Sequence, residues 1–161
     1  RDVQPSTNTF GTMIQSFLYK GFPEQRIKLF LINRFETNTP DGKNYKFGNS
    51  FMTSFFFARQ ISQSNFTAIL QARYEYRGKD ILNVTNSGCF GCFSSGSYIN
   101  SSGGNLIFIA PQINYTIAKK WNLSLLSDLP IYRKYNGTQL GNKFAFALYL
   151  SRDFGGKCEV K

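Results

Sequence analysis

The stretch Phe66-Thr-Ala-Ile-Leu-Gln-Ala-Arg-Tyr-Glu-Tyr-Arg77 decides the fold. Phe66, Ala68, Leu70, Ala72, Tyr74 and Tyr76 share one phase of a two-residue period, and Thr67, Ile69, Gln71, Arg73, Glu75 and Arg77 share the other. Successive side chains of a strand point to opposite faces, so this pattern predicts a β-strand with one apolar and one polar side. The period recurs downstream. Ile107, Ile109, Pro111, Ile113, Tyr115 and Ile117 alternate with Phe108, Ala110, Gln112, Asn114 and Thr116. Trp121, Leu123, Leu125, Ser127, Leu129 and Ile131 alternate with Asn122, Ser124, Leu126, Asp128 and Pro130. Phe144, Phe146, Leu148 and Leu150 alternate with Lys143, Ala145, Ala147 and Tyr149. Two earlier strands, Arg26–Glu36 and Asn49–Gln60, are richer in Phe and less cleanly divided, and a first strand is expected over Phe10–Lys20. The result is an all-β chain of about seven strands, each about 9–12 residues long.

The connections alternate in length. Gly21–Gln25, Ile61–Asn65 and Ala118–Lys120 read as short turns, whereas Thr37–Gly48 and Arg77–Gly104 are long and polar and Tyr135–Gly141 is intermediate. Short turns at one end and longer loops at the other describe an antiparallel up-and-down meander, treated as one domain over residues 1–161 with a tail at 155–161. Proline at 111 and 130, in neighbouring strands, removes an amide donor from each ladder and predicts a β-bulge.

Composition narrows the possibilities. The 161 residues carry 19 Lys+Arg against 9 Asp+Glu, a net charge of +10, no His, and 17% aromatic residues. Without His, imidazole acid–base catalysis and most zinc chemistry are excluded, and no metal or other cofactor is implied. No apolar run approaches the length of a membrane-spanning helix. The opening Arg-Asp-Val-Gln-Pro reads as a mature or cut end.

Alternation alone does not say which face is wet. Three features point to a transmembrane β-barrel with its apolar face outward. The strands match the roughly 9–11 tilted residues that cross the hydrocarbon layer. Tyr74, Tyr76 and Trp121 lie near the ends of the apolar stripes, where an interfacial girdle belongs. The opposite phase carries Lys28, Arg34, Gln71, Arg73, Glu75, Gln112, Asn114, Asp128 and Lys143, which suits a water-filled lumen. Leu70, Tyr74, Ile107, Ile109, Ile113, Trp121, Leu123, Leu125, Phe144, Phe146 and Leu148 are then the lipid-facing set. The excess of cations over acids at those lumen positions predicts an anion-favouring pore, unless the charges pair and plug it.

The run Asn105-Leu-Ile-Phe-Ile-Ala-Pro-Gln-Ile-Asn-Tyr115, then Trp121, then Leu129-Pro-Ile-Tyr-Arg-Lys-Tyr-Asn-Gly-Thr-Gln-Leu140 and Leu148-Tyr-Leu-Ser-Arg-Asp-Phe154 carry a family likeness, joined by Tyr45-Lys-Phe-Gly-Asn49. They resemble bacterial outer-membrane barrels of the transporter-like type, grouped with phenol-degradation MetA-pathway barrels and common in Bacteroidota. The resemblance implies a Gram-negative outer-membrane location and contact with membrane lipids and lipopolysaccharide. It also implies that 77–104 is an extracellular loop, and that the chain is the C-terminal part of a larger barrel. Phe154 resembles the terminal aromatic of a barrel-insertion signal, although Gly-Gly-Lys-Cys-Glu-Val-Lys follows it. An odd strand number leaves at least one partner strand to be supplied, because single-chain bacterial barrels have even counts.

Other chemistry is sparse. Cys89-Phe-Gly-Cys92 lacks the following helix of a redox motif and the further ligands of a metal site, which leaves a local disulfide, or unpaired or interchain thiols. Cys158 falls at the other end of the strands, roughly 30 Å from that loop if the strands cross a bilayer. No recognition helix or aromatic–basic platform accompanies the cations, so no nucleic-acid partner is expected. No nucleophile–base pair suggests an enzyme. The sequence therefore predicts a passive, porin-like channel for small solutes. The alternatives are a structural or anchoring subunit of an outer-membrane assembly with protein partners, and a soluble lipocalin-like ligand-binding barrel.

Overall fold

The computed structural model describes residues 9–61, 65–85, 95–117, 120–139, 141 and 143–152. Cys89, Cys92, Phe154, Cys158 and the 155–161 tail lie outside the described residues. Within them the chain is all β. Seven strands form one antiparallel sheet in sequence order: β1 (Gly11–Phe22), β2 (Ile27–Asn38), β3 (Ser50–Gln60), β4 (Phe66–Arg77), β7 (Gly104–Ile117), β8 (Trp121–Tyr135) and β9 (Ala145–Arg152). A separate two-stranded sheet, β5 (Ile81–Thr85) and β6 (Ser95–Tyr98), occupies the stretch expected to be loop alone. The described strands do not close into a barrel: β1 and β9 are the two ends of an open sheet.

Two boundaries differ from the sequence reading for identifiable reasons. β8 runs on to Tyr135 because β7 already begins at Gly104, and Asn105 and Leu106 pair with Lys134 and Arg133. Lys143 and Phe144 precede β9 rather than belonging to it. The proline expectation holds at one position. The β7–β8 register shifts by one residue between Ile107, opposite Tyr132, and Phe108, opposite Pro130. Ile131 is the extra residue, and beyond it Tyr132 rather than Arg133 continues the Trp121 phase. At Pro111 the register is unchanged on either side, from Ile109 with Leu129 to Gln112 with Leu126.

The registers fix which residues share a face. Arg73 lies opposite Ser54 and Phe108, and Ser54 in turn lies opposite Ile32. Following such rows places Gln71, Arg73 and Glu75 on one face with Ala110, Gln112, Asn114, Ser124 and Asp128. Leu70, Tyr74, Ile107, Ile109, Ile113, Leu123, Leu125, Phe146 and Leu148 occupy the other. Burial then inverts the usual globular order. Leu70, Ile113, Leu125, Phe146 and Leu148 are exposed, while the most enclosed strand side chain is Ser54 at 1%. The only buried apolar residues among those described are Ala58, Ile81 and Ala110. A water-soluble single sheet with this distribution would leave a large apolar surface wet, an arrangement proteins avoid outside interaction sites.

The division is clean from β4 to β8 and blurred in β1–β3. There the polar-phase face also carries Phe17, Tyr19 and Phe30, whose rings pack at 5.8 Å and 5.1 Å across β1 and β2. The apolar face in turn carries a polar row in which Thr53 donates to Asn33 at 2.7 Å and Asn33 to Ser16 at 3.3 Å. That row satisfies its own hydrogen bonds, so it needs no solvent to offset its polarity.

At the long-loop end, Gly103 has φ 74° and sits against the start of the 78–103 connection. A Cβ there would lie 2.5 Å from the Gly78 carbonyl oxygen and 2.6 Å from that of Arg77. Gly103→Ala is therefore expected to destabilise the fold by about 1–3 kcal/mol through backbone strain. The check is an unfolding midpoint lowered further than by Gly137→Ala, whose Cβ at φ 66° would meet Ser101 Oγ at 2.9 Å and the Asn100 carbonyl oxygen at 3.0 Å, contacts less close than those at Gly103.

Candidate functional site

The enclosed face of β2, β3, β4, β7 and β8 lines a cavity of about 660 Å³ that opens toward the long-loop end. Its wall carries Arg34, Arg73, Arg77, Glu75, Asp80 and Asp128, together with Phe108 and Pro130. Of the nine lumen residues read from sequence, the cavity brings together Arg34, Arg73, Glu75 and Asp128. Lys28, Gln71, Gln112, Asn114 and Lys143 do not line it, although all but Lys143 lie on the same face of the sheet.

The centre of the wall is an ion cluster built across three strands. Arg73 on β4 passes over the ring of Phe108 on β7, 4.5 Å from the guanidinium carbon to the ring centroid. Its Nη2 donates to Asp128 Oδ2 on β8 at 2.6 Å. Its Nε lies 2.7 Å from Glu75 Oε1, an ion contact not aligned as a hydrogen bond. Asp128 Oδ1 is buried and accepts no hydrogen bond from the described residues. Arg34 is paired at 2.9 Å with Glu36 on its own strand. The cavity wall carries equal numbers of arginines and carboxylates, so its charge is close to balanced. The count of cations in the sequence suggested an excess there unless the charges pair; Arg73 is paired with Glu75 and Asp128, and Asp80, which the sequence reading did not single out, adds a further carboxylate.

A second cluster holds the long-loop end together, and sequence reading did not single it out. Asp80 is 6% exposed. Its carboxylate accepts from the Tyr45 hydroxyl at 2.5 Å, the Gly48 amide at 2.8 Å and Arg77 Nη2 at 3.5 Å. Its own amide donates to Ser102 Oγ at 2.8 Å. The β2–β3 connection and the end of β4 thus meet on the Asp80 carboxylate, and the stretch before β7 meets its backbone amide. Lys46 and Ile81 add a pair of backbone bonds at 2.8 Å and 2.9 Å beside it. The only sequence signal was Asp80's position as the last charge before the uncharged run Ile81–Ala118. Burial, with the Asp80 carboxylate as hydrogen-bond acceptor and neighbouring negative charge, pushes the Tyr45 phenol up to about 12.

The apolar face has its own order. Phe66 stacks on Tyr115 at 4.3 Å, and Arg152 lies over Trp121 at 5.2 Å near the short turns. Tyr74 donates to Asn105 at 2.8 Å near the long loops. Phe144 and Phe146 pack at 5.5 Å. Among the described residues no group of His, Cys, Asp and Glu could hold a metal ion, and no helix is long and apolar enough to cross a membrane. Neither protein-family models, nor curated proteins, nor solved structures match the chain.

The raised Tyr45 pKa gives the loop cluster a pH signature. A tyrosine whose pKa is higher folded than unfolded contributes stability in full below its ordinary value of 10.0, and that contribution is lost as pH rises toward about 12. A phenolate absorbance titration is expected to resolve one tyrosine late, and Tyr45→Phe to remove that transition. The same substitution is expected to cost on the order of 1 kcal/mol at neutral pH.

Proposed function

We propose that this chain forms wall of a β-barrel in a bacterial outer membrane and acts as a passive channel for small solutes. One observation carries the reading: from β4 to β9 Leu70, Ile113, Leu125, Phe146 and Leu148 stand exposed on one face while Arg73, Glu75 and Asp128, with Ser54 of β3, are drawn to the other. A lipid-facing surface gains by exposing apolar groups to acyl chains, whereas water penalises them. Twelve-residue strands such as β1, β2 and β4 reach about 40 Å along their length, enough to cross the hydrocarbon layer when tilted by about 45°. Aromatic and cationic side chains near both ends of the apolar face fit the two interfaces. A soluble lipocalin-like barrel would require the same apolar residues to turn inward, opposite to their burial.

Balanced charge in the cavity favours weak ion selectivity over the anion preference that composition suggested. A second reading, an anchoring subunit of a larger envelope assembly, is favoured by the open edges. With seven antiparallel strands, β1 and β9 run in the same direction. An antiparallel closure therefore needs an odd number of further strands running the opposite way. A second copy inserted in the same orientation offers only edges of the same direction as these two. Unpaired edges in hydrocarbon cost several kcal/mol per backbone group, so some strand must cover them.

Adjacent substitutions separate the membrane reading from a soluble one. Leu70→Arg is expected to destabilise bilayer-inserted protein by about 2–4 kcal/mol if its position is near the midplane, while Gln71→Arg on the opposite face costs far less. Folding titrations into lipid vesicles make the comparison. Equal costs for the two, or a monomer that remains in solution without detergent, would remove the membrane reading. Conductance in a planar bilayer supports the channel, and stable co-purifying proteins after detergent extraction support the anchor.

A further inference from the structure

We infer that Asp128 and Arg73 are the specificity-determining pair of this lumen, Asp128 being the charge that keeps the pathway from selecting anions. The inference rests on the channel reading above. Arg73 is the cation that projects from the middle of β4, and it is held on three sides: by Phe108 beneath it at 4.5 Å, by Glu75 at 2.7 Å and by Asp128 at 2.6 Å. Glu75 is its near neighbour on the same strand. Asp128 comes from β8, across the whole width of β7, and so depends on the fold rather than on local sequence.

The geometry makes the two carboxylates unequal. Asp128 meets the guanidinium through an aligned charge-assisted hydrogen bond, whereas the Glu75 contact is not so aligned. Asp128 and Arg73 are also the less exposed members, at 26% and 20% of their side-chain surfaces against 36% for Glu75. Away from bulk water a charge is screened less, so a change at Asp128 alters the potential of the pathway more than one at a solvated rim. A single uncompensated charge on a narrow wall biases which ions enter, by the same electrostatics as the charged rings of selective pores. Arg34 has its own partner in Glu36 and Arg77 reaches Asp80, so the Arg73 cluster is where one substitution shifts the balance at the centre of the wall.

The test is the reversal potential, in a planar bilayer under a potassium chloride gradient, of the protein extracted in detergent from its native membrane together with the strands that close its sheet. Asp128→Asn keeps the side-chain shape and leaves Arg73 with less counter-charge, so the chloride-to-potassium permeability ratio is expected to rise several-fold. Arg73→Gln is expected to lower it below that of the unsubstituted protein, and the double variant to return near the starting ratio. A purely structural role moves stability but does not give shifts of opposite sign that cancel. Glu75→Gln, at the more exposed carboxylate, is expected to shift the ratio less than Asp128→Asn and guards against misfolding of either central variant. Conducting variants whose ratios are unchanged, or all move in one direction, would overturn the assignment and leave the channel intact. An unsubstituted protein that inserts but never conducts would remove the channel reading and this assignment with it.

Discussion

The strand side chains of this protein are placed by the backbone ladder of the seven-stranded sheet. Each strand hydrogen-bonds to its sequence neighbour in a fixed antiparallel register, and the alternation of side chains then assigns each residue to a face. A slip of one residue in the β4–β7 pair would put Ile107 opposite Arg73 or Glu75 and Gln112 opposite Ala68 or Leu70, turning every β7 side chain to the wrong face. Because the faces differ so strongly in polarity from β4 to β8, such a slip is costly in any solvent. The same constraint explains why the register shift beside Pro130 is confined to one residue. The bulge absorbs Ile131 and restores the phase, so that Leu129 and Tyr132 share a face.

A sheet of this kind has no hydrophobic core in the globular sense. Its enclosed groups are Ser54, Ala58 and Ala110 in the strands, with Asp80 and Ser102 at the loop end. Cohesion comes instead from the ladders, from cross-strand contacts such as Phe66 with Tyr115, and from polar bonds that join non-neighbouring segments. Arg73 to Asp128 joins β4 to β8 over the intervening strand, and Asp80 joins three connections and the end of β4. These polar nodes are drawn away from water but not out of its reach, where a charge pair has both strength and a tolerable desolvation cost.

Local pattern made much of this legible. The phases of Phe66–Arg77, Ile107–Ile117 and Trp121–Leu129 depend on residues two apart, and the strands follow them. The early strands were harder, since Phe17, Tyr19, Phe30 and Phe56 put aromatic groups on the face that is polar elsewhere. The 78–103 stretch misled by its Asn, Ser and Gly content, which reads as loop although β5 and β6 pair within it. The loop node escaped notice because Tyr45 and Asp80 are 35 residues apart and neither belongs to a recognisable spacing.

The sequence by itself determined the strand number of the main sheet, its meander order, the two unlike faces and the same-direction edges, because period and parity are local properties that survive any arrangement in space. Only the tertiary structure decided that Asp128 is the β8 carboxylate that meets Arg73, and that the cavity charges balance. Those outcomes depend on side chains 55 residues apart meeting over a third strand. No pattern along the chain records such a distance.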